Sequence, residues 1–456
     1  MVVTSQKSWD MKINKIEITN FKGFQHESIQ FHGNLTVVIG NNTAGKTTLL
    51  HAVQVGLGAY LQSLSDLPGG KPYRKNFVES DRFLKYNPNL KDYLPNKDLP
   101  RIDIDADFTT TSRIPGDGFE FKPEPVSWYR EFTKSGSTTH NQECAGQLIR
   151  VVREMEAKHK DENEGAVYPL VLSFGTNRID AQFRTARKTK ERQQRIEVAY
   201  KASLDDEKVD FAGALDWLRR YEKNVRDGKE FEGTRDAYLE ALTLAIPSLS
   251  EIEIDNDEIE AVVTVDGKEP SRHHYSYMSD GLKSMINIVS EIAYRCIELN
   301  GFLGKDAVKQ TPGVVLIDEV DLYLHPRWQQ HILQDLCKAF PKIQFIVSTH
   351  SPFIVQSLDA DQLISFDKGT DITGQPYREG LEDISSARMG MKQEIRSKLY
   401  NRMLKAASDY FEALDAKKEN ADALLAELRK LEAEFSADPA YLALIRNEFK
   451  SKTAKK

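Results

Sequence analysis

Only three cysteines, Cys144, Cys296 and Cys337, occur in 456 residues. An odd number without metal-ligand spacing excludes a disulfide framework and a zinc cluster, and buried free thiols are expected instead. No stretch reaches the roughly eighteen consecutive apolar residues of a membrane span, and Met1 to Asp10 lacks the apolar core of a secretory signal. A cytoplasmic protein without membrane contact is expected. Positive charge is not in excess either: the formal net charge is -7, which argues against nucleic-acid binding by bulk attraction and leaves only a local patch for such a contact. Internal repeats are absent, and no sustained heptads run between Lys46 and Ser279, which excludes long coiled-coil arms. What is there is ordinary in bulk, 40% hydrophobic and 29% charged, and long enough for two or three domain-sized cores built as one composite domain with insertions.

The most informative stretch is Val37-Val38-Ile39 running into Gly40-Asn41-Asn42-Thr43-Ala44-Gly45-Lys46-Thr47-Thr48. A β-branched strand here empties into a glycine-bracketed loop that opens a helix. Gly40 and Gly45 let successive backbone N–H groups converge on a phosphate, and the following helix adds the positive end of its dipole. Lys46 supplies an ammonium for the β- and γ-phosphates, and Thr47 a hydroxyl for Mg²⁺. The chain is therefore expected to bind a nucleoside triphosphate.

Around that loop, period-two alternation at Lys12–Ile18 and Ser28–Phe31 predicts short antiparallel strands, and the same pattern returns at Arg101–Phe108. Leu67 to Asp98, rich in Pro, Gly and Lys, reads as a loop. Glu143 to Leu242 is helical and charged in character, interrupted by the apolar run Tyr168–Phe174, which reads as a buried strand. The basic run Arg184–Arg195 reads as a solvated face, with a nucleic-acid contact as the alternative. Alternation at Ile252–Asp255 and Ala261–Val265, with Asp266-Gly267 as a turn, predicts a hairpin. A helix from Gly281 to Leu299, a buried strand Gly313–Asp318, a helix from Pro326 to Phe340 and a strand Gln344–Ser348 then alternate as in a parallel α/β sheet. Apolar residues at helical spacing over 391–435 predict a helical hairpin turned at Lys418-Glu419-Asn420.

The second half carries the partners of the phosphate loop. Asp318 and Glu319 end a buried strand, where Asp318 can hold the Mg²⁺ shell with Thr47 and Glu319 can orient and deprotonate an attacking water. His350 follows the next strand, where a neutral imidazole can donate to the γ-phosphate. Ser279, in Met278-Ser279-Asp280-Gly281, can cap a helix whose first turn leaves N–H groups for an anion, although as an ordinary N-cap it needs no further meaning.

Together these residues resemble the ABC-type ATPases of the RecF, SMC and overcoming-lysogenization-defect groups. Ile18-Thr19-Asn20-Phe21-Lys22-Gly23-Phe24 looks like their N-terminal signature, and Gly40, Asn41, Asn42, Ala44, Gly45, Lys46, Thr47 and Thr48 like their Walker A loop. Met278 to Gly281 resembles the signature motif, Asp318 and Glu319 Walker B, Asp321 the D-loop, and His350 the switch histidine. The resemblance implies ATP and Mg²⁺ as ligands, with Lys22 against the α-phosphate or base. It also implies that Ser279 and Gly281 reach ATP held by another subunit, so that the competent species is at least a dimer. No Q-loop glutamine is evident; Gln182 or a residue of Phe174–Arg178 is a candidate, and Arg178 can instead face the nucleotide or a dimer interface.

The implied fold is α/β: an ABC-type P-loop ATPase head with an antiparallel β layer, a helical insertion and a C-terminal helical tail. Its expected parts are an N-terminal lobe with Walker A (1–115), a charged insertion with strands returning to the sheet (116–265), a C-terminal lobe with the remaining motifs (266–370), and a helical tail for oligomer or partner contacts (371–456). Asp359 and Asp361, the close acidic pair after His350, read as surface acids, so no nuclease centre is expected. A compact ATPase of this kind is similar to PtuA of the Septu anti-phage systems, also found beside retrons. That resemblance implies dimers or multiples of dimers and a partner HNH nuclease, PtuB, acting on nucleic acid. A RecF-like repair ATPase without a nuclease partner, and a regulatory ATPase that ignores DNA, remain open.

Overall fold

The computed structural model describes residues 11–114, 118–160, 166–178, 194–206, 211–255, 258–264, 269–367, 374–390, 398–416 and 421–434. Two units separate, Met1–Leu381 and Glu382–Lys456.

The first unit begins with strands β1 (Met11–Phe21), β2 (Phe24–Gln30) and β3 (Leu35–Ile39), then a hairpin of β4 (Leu84–Asn87) and β5 (Asp92–Pro95), and the long pair β6 (Arg101–Ile114) and β7 (Gly118–Glu131). β8 (Leu170–Phe174) is followed by β9 (Leu249–Asp255), β10 (Glu258–Val263), β11 (Ser271–His274), β12 (Gly313–Ile317), β13 (Ile343–Ser348) and β14 (Leu363–Ser365). They form a four-stranded sheet β2-β1-β6-β7, a three-stranded sheet β11-β10-β9, the β4-β5 pair, and a five-stranded sheet ordered β14-β3-β13-β12-β8.

The first sheet is antiparallel throughout. Along β1, Ile13, Ile16 and Ile18 are buried while Lys12, Lys15 and Glu17 are not, the one-sided pattern of a sheet with a single covered face. The five-stranded sheet is parallel at every pairing. Its strands read as largely apolar runs because both faces are covered: every residue of β3, β13, β12 and β8 is buried. One buried amide ties the two layers together. Gln344 of β13 is fully buried, accepts from the Ile13 N–H at 2.8 Å, and donates to the carbonyls of Ile13 and His32 at 2.9 Å each.

Because all five strands run the same way, their C-terminal ends lie along one edge, where open α/β sheets bind ligands. The Lys46–Ser63 helix leaves β3 at that edge. The Asp280–Asn300 helix is buried along nearly its whole length, which explains its lack of a clean polar stripe.

Several sequence expectations change in detail. Leu67–Asp98 contains the β4-β5 hairpin rather than loop alone, its Tyr86 and Tyr93 facing each other at a ring separation of 5.2 Å. The expected Pro326–Phe340 helix is two pieces, Pro326–Gln329 and Ile332–Ala339. It breaks after Gln329, whose side-chain amide donates to the carbonyls of Leu324 at 2.9 Å and Asp321 at 3.4 Å. The hairpin partner of β10 on the N-terminal side is β9, while Asp266-Gly267 falls between β10 and β11, outside the described residues. Cys144 and Cys296 are buried free thiols, and Cys337 is only partly covered.

In the second unit the Lys398–Asp415 and Ala421–Glu434 helices bury Met403, Tyr410, Phe411, Leu428 and Leu431. The turn at Lys418-Glu419-Asn420 lies outside the described residues. Among the described residues no helix is long and apolar enough to cross a membrane.

Candidate nucleotide site

The Walker A loop is bent where the sequence places its glycines. Gly45 adopts φ 111° as the N-cap of the Lys46–Ser63 helix, and a Cβ there would lie 2.5 Å from the Phe24 ring. Only glycine meets both demands. Lys46 is buried and donates to the carbonyls of Gly40 at 2.8 Å and Asn41 at 3.2 Å. Burial lowers its pKa, opposed by Asp318, Glu319, Asp367 and Asp321. An ammonium whose partners among the described residues are loop carbonyls is suited to exchange them for phosphate oxygens. Asn41 is held from outside by Asp367, which accepts from its backbone N–H at 3.0 Å and its side-chain amide at 2.9 Å.

Walker A and Walker B meet directly: Thr47 Oγ1 donates to Asp318 Oδ2 at 2.8 Å. A hydroxyl and a carboxylate oxygen are the hard ligands Mg²⁺ takes, with water and phosphate completing the shell, so these two residues fit that ion. The other oxygen of Asp318 accepts from Ser348 Oγ, and Ser348 Oγ in turn accepts from the Glu319 N–H at 2.8 Å. Glu319 itself has φ 48°, a left-handed conformation uncommon for a residue with a side chain and one that persists only when surrounding contacts determine it.

Asp321 joins the D-loop to the switch loop. Its Oδ1 accepts from the Thr349 hydroxyl and from the backbone N–H of His350 at 3.3 Å. Gln329 adds a second tie, its Oε1 accepting from Ser351 Oγ at 2.7 Å. Ser279 is the N-cap of the Asp280–Asn300 helix, and its hydroxyl accepts from the Leu282 N–H at 3.4 Å. Gly281 lies against the D-loop, where a Cβ would sit 2.5 Å from the Tyr323 carbonyl oxygen. Among the described residues no hydrogen bond or ion pair joins Ser279 to Lys46, Thr47 or Glu319. Tyr277, beside the signature, is 81% exposed.

Lys22 lies in a cluster that the sequence did not reveal. Its Nζ meets His51 Nδ1 and stands 3.6 Å from Asp81 Oδ1, while Lys75 Nζ is 3.4 Å from His51 Nε2. Burial, Lys75 and Lys22 push the His51 pKa down to about 4, so the imidazole is neutral at pH 7. Asp206 completes the group, accepting from Ser173 Oγ at 2.8 Å and from the Gln54 amide. Burial raises its pKa. Of the Q-loop candidates, Gln182 lies outside the described residues, and Arg178 is 1% exposed, turned inward onto the carbonyl of Glu319. Arg184–Gln193 of the basic run also lie outside the described residues. Asp359 and Asp361 are exposed, and no cluster of three or more acids, histidines and cysteines placed to hold a metal ion occurs among the described residues.

A parallel sheet carrying Walker A after β3, paired carboxylates after β12 and a histidine after β13 has the layout of a P-loop ATPase core. The chain belongs to the AAA domain family, whose profile matches residues 15–262; a second profile, described as AAA domain, putative AbiEii toxin, Type IV TA system, matches residues 211–356. The chain is similar to the retron Vc95 probable ATPase of Vibrio cholerae serotype O1 biovar El Tor, 25% identical over 393 residues that cover 77% of this chain and 73% of that one. It is also similar to Septu protein PtuA of Bacillus thuringiensis, 33% identical over 164 residues, 32% of this chain and 38% of that protein. Among solved structures, an SMC head bound to the C-winged helix domain of ScpA aligns over 76% of this chain and 92% of its own, with TM-score 0.43 and 20% identity.

Proposed function

We propose that the chain is the ATP-binding and ATP-hydrolysing subunit of an anti-phage defence complex, and that its nucleotide state gates a partner nuclease of the HNH type acting on nucleic acid. The observation that supports the ATPase reading is the contact of Thr47 with Asp318, which brings the two halves of a Mg²⁺–triphosphate site together from positions 271 residues apart. The likeness to retron and Septu proteins supports the defence setting.

In this reading Lys46 moves from the loop carbonyls to the β- and γ-phosphates, and the loop N–H groups take the remaining phosphate oxygens. Mg²⁺ held by Thr47 and Asp318 would neutralise charge on the β,γ-bridging region. Glu319 accepts the proton of the attacking water, and His350 donates to the γ-phosphate. Ser279 and Gly281 close over ATP bound by a second copy, so that ATP joins a dimer or a multiple of dimers. That Ser279, among the described residues, is bonded only within its own helix start is consistent with this role.

Glu319→Gln tests the reading. The variant should bind ATP, lose turnover by about 10²-fold or more, and accumulate as an ATP-dependent oligomer in sedimentation or mass photometry. Turnover at the parental rate would remove Glu319 as the base. Co-expression with a neighbouring HNH-containing protein then tests the nuclease arm: DNA or RNA cleavage that responds to ATP supports it, and an ATP-dependent DNA complex needing no partner favours the RecF-like alternative.

A further inference from the structure

Arg178 follows β8 and is 1% exposed. A guanidinium carries five N–H donors, yet Nη2 donates to the carbonyl of Glu319 while Nε and Nη1 are buried without a hydrogen-bond partner among the described residues. For stability alone this is a wasteful choice, since an apolar side chain would fill the space without stranding donors. Burial lowers its pKa to about 10, opposed by Asp318, Asp321 and Glu319, so the group remains cationic at pH 7 among the carboxylates of the site.

Its backbone is committed elsewhere. The carbonyl of Arg178 accepts from Asn287 Nδ2 at 2.8 Å, and Asn287, fully buried on the Asp280–Asn300 helix, accepts through Oδ1 from the Tyr275 hydroxyl at 2.8 Å. Tyr275 stacks on Phe211 with ring centroids 4.9 Å apart. Asn287 lies about two turns along the helix that Ser279 caps. A continuous set of contacts therefore runs from the signature helix through Asn287 and Arg178 to Glu319.

At its far end Glu319 is gripped on both sides: its N–H by Ser348 Oγ at 2.8 Å, and its carbonyl by Arg178 and by the Leu322 N–H at 2.9 Å. We propose that Arg178 is a positioning residue of the ATPase site, holding the left-handed backbone of Glu319 in place and making that hold depend on where the signature helix stands. The proposal rests on the reading of Glu319 as the base. A hydrogen bond near 2.8 Å tolerates only a few tenths of an ångström before it weakens, so a shift of the signature helix on meeting a partner's ATP is passed to Arg178 rather than absorbed. Assembly and hydrolysis are thereby coupled inside each protomer.

The test uses the full chain with Mg²⁺ and ATP, measuring the Kd for ATP with a fluorescent analogue, the single-turnover hydrolysis rate, and the Tm. Arg178→Gln should lower the hydrolysis rate by about 30-fold or more, in the range expected for misplacement of a catalytic group, with Kd within about threefold of the parent. Asn287→Ala should lower the rate by about tenfold, and adding it to Arg178→Gln should cost no more than Arg178→Gln alone, since both act along one path. Arg178→Lys, which keeps the charge and loses the fork, should fall between parent and Arg178→Gln. If Arg178→Gln does not fold, the rate-against-Kd split in Arg178→Lys and Asn287→Ala carries the test. A merely structural arginine would lower Tm and ATP affinity together, with additive effects on the rate, and that pattern overturns the proposal; so does a parental rate in the folded variants. Glu319→Gln is assayed alongside. If it turns over normally, the base reading has failed and the proposal falls with it. If it is inactive while Arg178→Gln is fully active, only the proposal fails.

Discussion

Gly281→Ala sets two effects of opposite sign against each other. In the first turn of the Asp280–Asn300 helix, alanine should favour the helix over glycine by about 1 kcal/mol. Against this, the new Cβ would stand 2.5 Å from the Tyr323 carbonyl oxygen and 3.4 Å from its carbon, about 0.9 Å inside ordinary contact. The obstructing atom is backbone, so no rotamer change relieves it. Either the helix start or the D-loop must move by about that amount, at a cost of about 1–3 kcal/mol by the measure of overpacked sites. The D-loop moves more readily, because Tyr323 is 51% exposed with φ 68° while the helix is buried. Asp321 would then shift against Thr349 and His350. A displacement approaching 1 Å in catalytic parts is worth up to about 10²-fold in rate.

The expected result is a Tm within a few degrees of the parent, intact ATP binding, and hydrolysis reduced by about 10- to 100-fold. Gly33→Ala serves as the control, since an added Cβ there meets nothing nearer than the Lys12 side chain at 3.9 Å. A Gly281→Ala protein that hydrolyses ATP like Gly33→Ala would refute the argument that the signature helix and D-loop are held at contact distance for catalysis.

Lys46→Ala should abolish measurable ATP binding in equilibrium dialysis, because no other described cation contacts the Gly40 and Asn41 carbonyls at which the lysine now waits. Thr47→Val keeps the shape and removes the hydroxyl bonded to Asp318; the Mg²⁺ concentration for half-maximal turnover should rise by about tenfold or more, and an unchanged Mg²⁺ titration would argue against Thr47 as a ligand. His51 is depressed to about 4 from an ordinary 6.5, so below about pH 6.5 the unfolded chain takes up a proton that the folded one does not. Its contribution to stability is present above pH 6.5 and is lost as pH falls toward 4, by about 1–3 kcal/mol after allowance for partial exposure. His51→Gln should accordingly flatten the fall of Tm between pH 6.5 and 4, and an unaltered slope would show that the imidazole is not held neutral.

The elements that carry chemistry were legible because buried parallel strands advertise themselves as apolar runs: Val37–Ile39, Leu170–Phe174, Val314–Ile317 and Phe345–Val347 all stand in the sheet where the pattern placed them. Glycine spacing identified the phosphate loop for the same local reason. Elements whose stability comes from their neighbours were harder to see. β7 carries Pro123 and Pro125 and was not apparent as a strand, yet its pairing with β6 extends over its full length. β4 and β5 are too short and polar to show a period, and β14 has three residues. The same limit applies to the site. Ser348, Arg178 and the Gln54–Ser173–Asp206 group meet across separations of 29 to 152 residues, and nothing in their local sequence signals those meetings.

Gln344 has a mechanical consequence. A glutamine that both gives to and takes from the main chain of β1 leaves the parallel and antiparallel layers no slip plane at that point, and sliding one over the other would break both hydrogen bonds to Ile13 in a buried seam. The two sheets should respond to nucleotide by turning as a single block, with relative displacement left to the elements packed around them.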